Sequence, residues 1–170
     1  MVPEVYSGGL MNVYDHFAHW QDISSRLNKD EFIIEVGCGC GLSSRIYSLK
    51  TEKPMYAVDK PNVVRMSAQM YPTPGVTYVG CDFNESWVYD NIKIHGMLDV
   101  VICVDVIEHI ENKDLFLSEL AKLPSDKGRF IICVPIGEDD NSWHVNHWQS
   151  TEEFMDDICR FLPRERVTKV

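Results

Sequence analysis

Residues 33 to 41 read IIEVGCGCG: an apolar run ends on acidic Glu35 and Val36, then passes into glycines at every second position, Gly37, Gly39 and Gly41. Glycine accepts positive φ without steric cost, and a backbone bare of Cβ lets a ligand come close. The following segment, LSSRIYSLK at 42 to 50, reads as a helix. A strand, a glycine turn and a helix open a doubly wound α/β fold, and that turn is where such folds hold a nucleotide-like cofactor. The dinucleotide fingerprint GxGxxG would put its third glycine at position 42, where this chain has Leu42. The spacing therefore predicts a different cofactor.

Outward from this stretch the pattern repeats. Apolar runs at 32 to 36, 55 to 58, 76 to 79, 98 to 104 and 129 to 134 are separated by helix-like segments at 42 to 50, 61 to 70 and 112 to 123. That alternation predicts five strands in a parallel sheet. Asn112 is the expected N-cap of the third helix, and Ser150 with Glu153 forms a capping box at the head of a last helix over 150 to 161. An amphipathic helix over 10 to 28 carries Tyr14, His16, Phe17, His19 and Trp20, and RVTKV at the C-terminus suffices for one edge strand.

The 170 residues suit one domain with a real core, and 45% apolar with 25% charged residues is ordinary for a soluble globular chain. No apolar run has membrane-spanning length and no leader-like segment opens the chain, so the expected setting is the cytoplasm without membrane partners. The six cysteines fall in or beside predicted strands and lack paired CxxC spacing, which reads as buried thiols in a reducing compartment rather than a zinc site. The net charge of −10 disfavours nucleic acid and other polyanionic substrates, leaving only a local basic patch to bind one.

GxGxG after an acidic residue resembles motif I of the class I S-adenosylmethionine (SAM) methyltransferases. The expected fold is therefore a Rossmann-like α/β methyltransferase fold, a central mostly parallel sheet flanked by helices and shortened at the C-terminus. The expected organisation is one SAM-dependent methyltransferase domain over 1 to 170, with a helical segment at 1 to 29 and an α/β core at 30 to 170. Ligands of open α/β sheets lie across the carboxyl ends of the strands. Asp59 ends the second strand, where a carboxylate can accept the ribose hydroxyls. Asp82 and Phe83 follow the third, placed for the adenine amine and ring, and Val104 ends the fourth with its backbone toward the methionine portion. The resemblance implies that Glu35 supports the loop and the methionine amino group, and that Gly37, Cys38, Gly39 and Gly41 form the cofactor cradle.

The segment VDVIEHI at 104 to 110 adds Asp105, Glu108 and His109, which share one face if a helical turn begins at 105. Two carboxylates and an imidazole invite a hard divalent cation. After the fifth strand, DNSWHVNHWQSTEEF supplies His144 and His147. An acid followed after two residues by Glu-His resembles both the ubiquinone-pathway O-methyltransferases and the methyltransferases of the 3′-terminal 2′-hydroxyl of small RNAs. The His144 to Trp148 spacing also resembles the RNA enzymes. That resemblance implies Mg²⁺ or Mn²⁺ held by Asp105, Glu108, His109 and His144, with Asp105 one methylene shorter than the families' Glu. Outside the ligand role, His109 or His144 is the candidate general base. The same Glu-His pair also fits a metal-free site in which Glu braces the helix.

Trp143 and Trp148 are candidate roofs of an acceptor pocket, with Tyr14, His16, His19 and Trp20 as its other wall, and His147 is expected at the surface. The leading expectation is SAM-dependent O-methylation of a small-molecule acceptor. The alternatives are 2′-O-methylation of an RNA end and a non-catalytic SAM-binding subunit. An uncovered sheet edge would suit a homodimer or a partner subunit.

Overall fold

The structure, a computed structural model, describes residues 10–137 and 141–169. Six strands form one sheet in the order β3-β2-β1-β4-β5-β6: β1 (Ile33–Val36), β2 (Met55–Asp59), β3 (Val76–Gly80), β4 (Leu98–Val104), β5 (Pro124–Cys133) and β6 (Val167–Lys169). Every neighbouring pair is parallel. Residues in β1 are buried throughout, and β4 is buried at five of its seven positions. Helices on both faces leave no place for polar alternation in these central strands, hence their continuous apolar sequence.

Among the described residues six α-helices connect and cover the sheet: α1 (Leu10–Ser25), α2 (Leu42–Ser48), α3 (Pro61–Met70), α4 (Trp87–Asn91), α5 (Lys113–Leu120) and α6 (Thr151–Ile158). Asn112 accepts the Leu115 N–H at 3.3 Å and Ser150 accepts the Glu153 N–H at 3.1 Å, so both expected caps are in place. Glu153 reaches back to the Gln149 N–H at 2.7 Å, one residue before the position a capping box uses.

One face of the sheet packs Trp87 against Phe116 at 5.9 Å between ring centroids, with Phe83 edge-on to both. Fully burying an aromatic of this size stabilises the fold by roughly 2–3 kcal/mol. The other face seats Ile23 of α1 and Tyr47 of α2 on Ile33, Val100, Ile102 and Ile131.

Several boundaries differ from expectation: α2, α5 and α6 are each shorter than the segments 42 to 50, 112 to 123 and 150 to 161. β5 begins at Pro124 instead of 129, because its register against β4 jumps between Leu98 and Val100 and the irregularity absorbs residues 125 to 128. α1 ends at Ser25, not at 28. The five-residue α4 was not foreseen, being too short to show a helical period. Of the 1 to 29 segment, residues 1–9 lie outside the described part. No helix among the described residues is long and apolar enough to cross a membrane.

The strand order doubles back between β1 and β4. The crevice beyond their carboxyl ends is where open α/β sheets hold ligands, and the glycine turn follows one while Asp105 follows the other.

Candidate active site

The glycine turn is backbone that other residues would strain. Gly37, Gly39 and Gly41 have φ of 82°, 51° and 86°. A Cβ on Gly37 would lie 2.1 Å from Val106 Cγ2, and one on Gly41 would lie 2.7 Å from the Tyr78 hydroxyl. The turn is tied to β2 because the N–H groups of Gly37 and Cys38 both donate to the Val58 carbonyl, at 2.7 and 3.1 Å. Asp59, the last residue of β2, accepts the Gly39 N–H at 2.9 Å and the Lys60 N–H at 2.7 Å. Ser67 of α3 donates to the Gly39 carbonyl.

Two carboxyl groups stand beside this turn. Glu35 is buried inside β1 and accepts from the Ser44 hydroxyl. Burial raises its pKa to about 7 and the nearby Asp59 charge adds to the rise, while hydrogen bonds from Ser43 and Ser44 oppose it. Burial also raises the Asp59 pKa, against hydrogen bonds from the Gly39 and Lys60 N–H groups. Buried carboxylates carry a desolvation cost that a cationic partner offsets, so this corner suits a ligand bearing positive charge. Cys38 is buried and its thiol pKa is pushed far up, chiefly by burial, so it packs as a thiol.

After β3, Asp82 is exposed and accepts from the Asn84 N–H at 3.0 Å, an arrangement that shapes the turn and leaves the carboxylate at the rim. Phe83, expected against an adenine ring, instead lies 4% exposed in the Trp87 and Phe116 core. Its ring is held inward edge-on to Trp87 of α4 and Phe116 of α5, at 5.2 and 5.3 Å between centroids. Val104 is half-buried and ends β4 opposite Cys133.

Asp105 is the only non-glycine with positive φ among the described residues, at 52°. Such a conformation is uncommon outside glycine and concentrates at functional sites. It turns the chain out of β4 so that the following turn spans Ile107–His109 as a short 3₁₀ helix and does not start at 105. Asp105 is thereby separated from the group expected of it. Its carboxylate meets His16 Nδ1 of α1 at 3.1 Å, and the His16 ring stacks on Trp20.

The structure brings together the other three members of the expected ligand set. One ligand atom each from buried Glu108, His109 and His144 all lie within 4.8 Å of one another. The His109 and His144 rings are edge-on, with centroids 4.6 Å apart. His109 Nδ1 lies 3.2 Å from the Trp143 carbonyl, and Asn141 Nδ2 lies 2.9 Å from His144 Nε2. Two imidazoles and a carboxylate form a mixed nitrogen and oxygen set, suited to transition-metal ions more than the oxygen-rich set that Asp105 would have completed.

Around this group, His147 is exposed as expected and its ring stands 6.5 Å from that of His144. Trp143 is 66% exposed at the rim. Trp148 is not a roof: it is buried, packs edge-on against Phe154, and donates Nε1–H to Asp157 at 3.0 Å. Its amphipathic ring finds polar partners in Asp157 of α6 and in the Lys113 ammonium of α5, 5.5 Å from the ring centroid, which hold it in the core. On the α1 wall, His19 Nδ1 lies 3.8 Å from Cys133 Sγ, and the Tyr14 side chain lies outside the described part. Sequence reasoning missed Asn146, whose amide bonds two carbonyls of the 3₁₀ turn. Only its place between His144 and Trp148 hinted at it.

The six-stranded parallel sheet, the glycine crevice and its carboxylates define a Rossmann-like fold of the SAM-dependent methyltransferase kind. A structure from Bacillus halodurans C-125 described as a methyltransferase superposes with a TM-score of 0.68 at 15% identity, covering 86% of this chain and 67% of that one. An S-adenosylmethionine-dependent methyltransferase from Mesorhizobium loti gives 0.55 at 17% identity, covering 69% and 54%. The family model of the methyltransferase domain matches residues 14–169, and the chain belongs to that family. SAM is the methyl donor of this class. The chain is also 34% identical over 120 residues to the ubiquinone biosynthesis O-methyltransferase of Rickettsia bellii, 69% of this chain and 45% of that protein. It thus spans about half the length of the curated relatives it matches.

Proposed function

We propose that this domain transfers the methyl group of SAM to a hydroxyl oxygen of a small-molecule acceptor, with a divalent ion assisting. The observation that carries the reading is the convergence of Glu108, His109 and His144 within 4.8 Å just past the end of β4. The similarity to an O-methyltransferase of ubiquinone biosynthesis supports the oxygen acceptor.

Bound SAM supplies an electrophilic sulfonium methyl, so the protein's task is alignment and proton removal. Gly37, Cys38, Gly39 and Gly41 would present backbone to the donor. Asp59 would accept from the ribose, and Glu35 would face the charged amino-acid end. Asp82 would lie at the adenine rim, and Phe83 and Val104 would border the donor through their backbone. A cation on Glu108, His109 and His144 would lower the pKa of an acceptor hydroxyl. In a site without the ion, His109 or His144 would instead be the general base for the hydroxyl proton. Cys38, Cys40, Cys81, Cys103 and Cys133 are buried thiols, which fits a cytoplasmic setting.

The test is incubation with SAM and a catechol, with and without Mn²⁺. The reading expects S-adenosylhomocysteine and a methyl ether, formed faster with the ion; no product with any hydroxyl acceptor overturns it. The second reading, methylation of an RNA 3′-terminal 2′-hydroxyl, is favoured by His144 joining the Glu108-His109 pair and opposed by the net charge of −10. Binding of a short RNA at low salt would support it, and no binding there removes it.

A further inference from the structure

The segment 141 to 148 crosses from the end of β5 to the start of α6 without regular structure, yet it carries His144 to the pair on the 3₁₀ turn. A three-residue 3₁₀ turn is a weak element. Here it keeps two short-range bonds, His109 N–H to the Val106 carbonyl at 3.0 Å and Ile110 N–H to the Ile107 carbonyl at 3.2 Å. The carbonyls of Ile107, Glu108 and Ile110 have lone pairs beyond these two bonds. The crossing segment supplies four donors to them. Asn146 Nδ2 donates to the Ile107 carbonyl at 2.9 Å and to the Ile110 carbonyl at 2.8 Å. The N–H groups of Val145 and Asn146 both donate to the Glu108 carbonyl, at 2.7 and 3.0 Å.

We infer that Asn146 is a positioning residue: its side-chain amide clasps both ends of the turn that carries Glu108 and His109, and so fixes His144, two residues earlier, against them. This deepens the reading above and rests on it for the use of the assembled group. The chemistry of the side chain is restrictive. Two carbonyl oxygens must be met by one group that donates twice from one nitrogen, which an amide does and a carboxylate, hydroxyl or alkyl group of similar size does not. Aspartate keeps the shape of asparagine but turns an acceptor toward two acceptors.

No histidine, carboxylate or donor-binding residue is altered by changing Asn146, so its effect can be separated from theirs. Outer partners of this kind typically change metal affinity or activity by about 10–100-fold.

The test is Asn146→Asp in the full chain, read by imidazole ¹⁵N and ¹H shifts of His109 and His144, by visible absorption on adding Co²⁺, and by SAM affinity. In the parent protein His109→Gln should displace the His144 resonances. In the Asn146→Asp background that response should vanish, Co²⁺ binding should weaken by about 10–100-fold, and SAM affinity should stay within about twofold, well under the tenfold that 1.4 kcal/mol represents. Retention of the histidine coupling in Asn146→Asp overturns the inference, whatever its melting temperature. If the parent protein shows the coupling but no Co²⁺ absorption, the metal reading fails while loss of coupling in the variant still upholds the clasp. Should the aspartate variant not fold, Asn146→Ala removes the donors without adding charge and carries the same readouts.

Discussion

Asp59, at the end of β2, accepts the N–H of Gly39 at 2.9 Å, twenty residues away in sequence. One carboxylate thus shapes the glycine turn and stands at the mouth of the crevice where a ribose would lie. Asp59→Ala should weaken SAM binding by about 10–100-fold, the loss of one or two charge-assisted hydrogen bonds. Calorimetry on the folded variant checks this, and unchanged affinity would remove the ribose role.

Glu35 should make stability and cofactor binding respond oppositely. Its pKa rises from 4.5 to about 7 on folding, so between those values the folded state holds the extra proton. Stability from this group is full below pH 4.5 and is lost as pH rises through 7. Glu35→Gln should therefore raise the melting temperature at pH 8, with the gain shrinking toward pH 5. The same variant should bind SAM more weakly at pH 8, having lost the charge that faces the donor's amino group. Parallel melts at the two pH values and a SAM titration test both signs.

Gly37 tolerates no side chain. Its φ of 82° and the 2.1 Å approach to Val106 mean that Gly37→Ala must strain the turn and displace Val106. A loss of about 2 kcal/mol or more is expected, a fall in melting temperature of roughly 4–8 °C. Trimming the neighbour as well, in Gly37→Ala with Val106→Ala, should recover part of it.

His109→Gln should lower kcat by about 10²–10⁴-fold while SAM affinity holds within about twofold, because the side chain stands past β4 and outside the glycine cradle. Steady-state kinetics with a catechol, paired with calorimetry, separate the two quantities. Activity that survives with added divalent ion would exclude both base and ligand roles for this residue.

The sheet was legible in the sequence because each strand is a short apolar run and each connection carries local signals, such as the Asn112 and Ser150 caps. The cofactor crevice was legible too, since three alternating glycines after a strand have few other uses. What escaped were features decided by packing between distant segments. The positive φ of Asp105 removes it from the Glu108 group and gives it to His16, a partner on α1 that no local pattern announces. Phe83 and Trp148 looked like pocket aromatics, yet each belongs to the core because neighbouring helices supply apolar contacts, and for Trp148 a carboxylate as well. Asn146 acts on a turn more than thirty residues earlier, which alternation and periodicity do not encode.

Titration of the intact protein with SAM tests the central claim most directly. The account predicts saturable binding at one site, weakened by Asp59→Ala and Glu35→Gln and unaffected by His109→Gln. Absence of any binding heat across a range of temperatures, with protein shown to be folded, would contradict it.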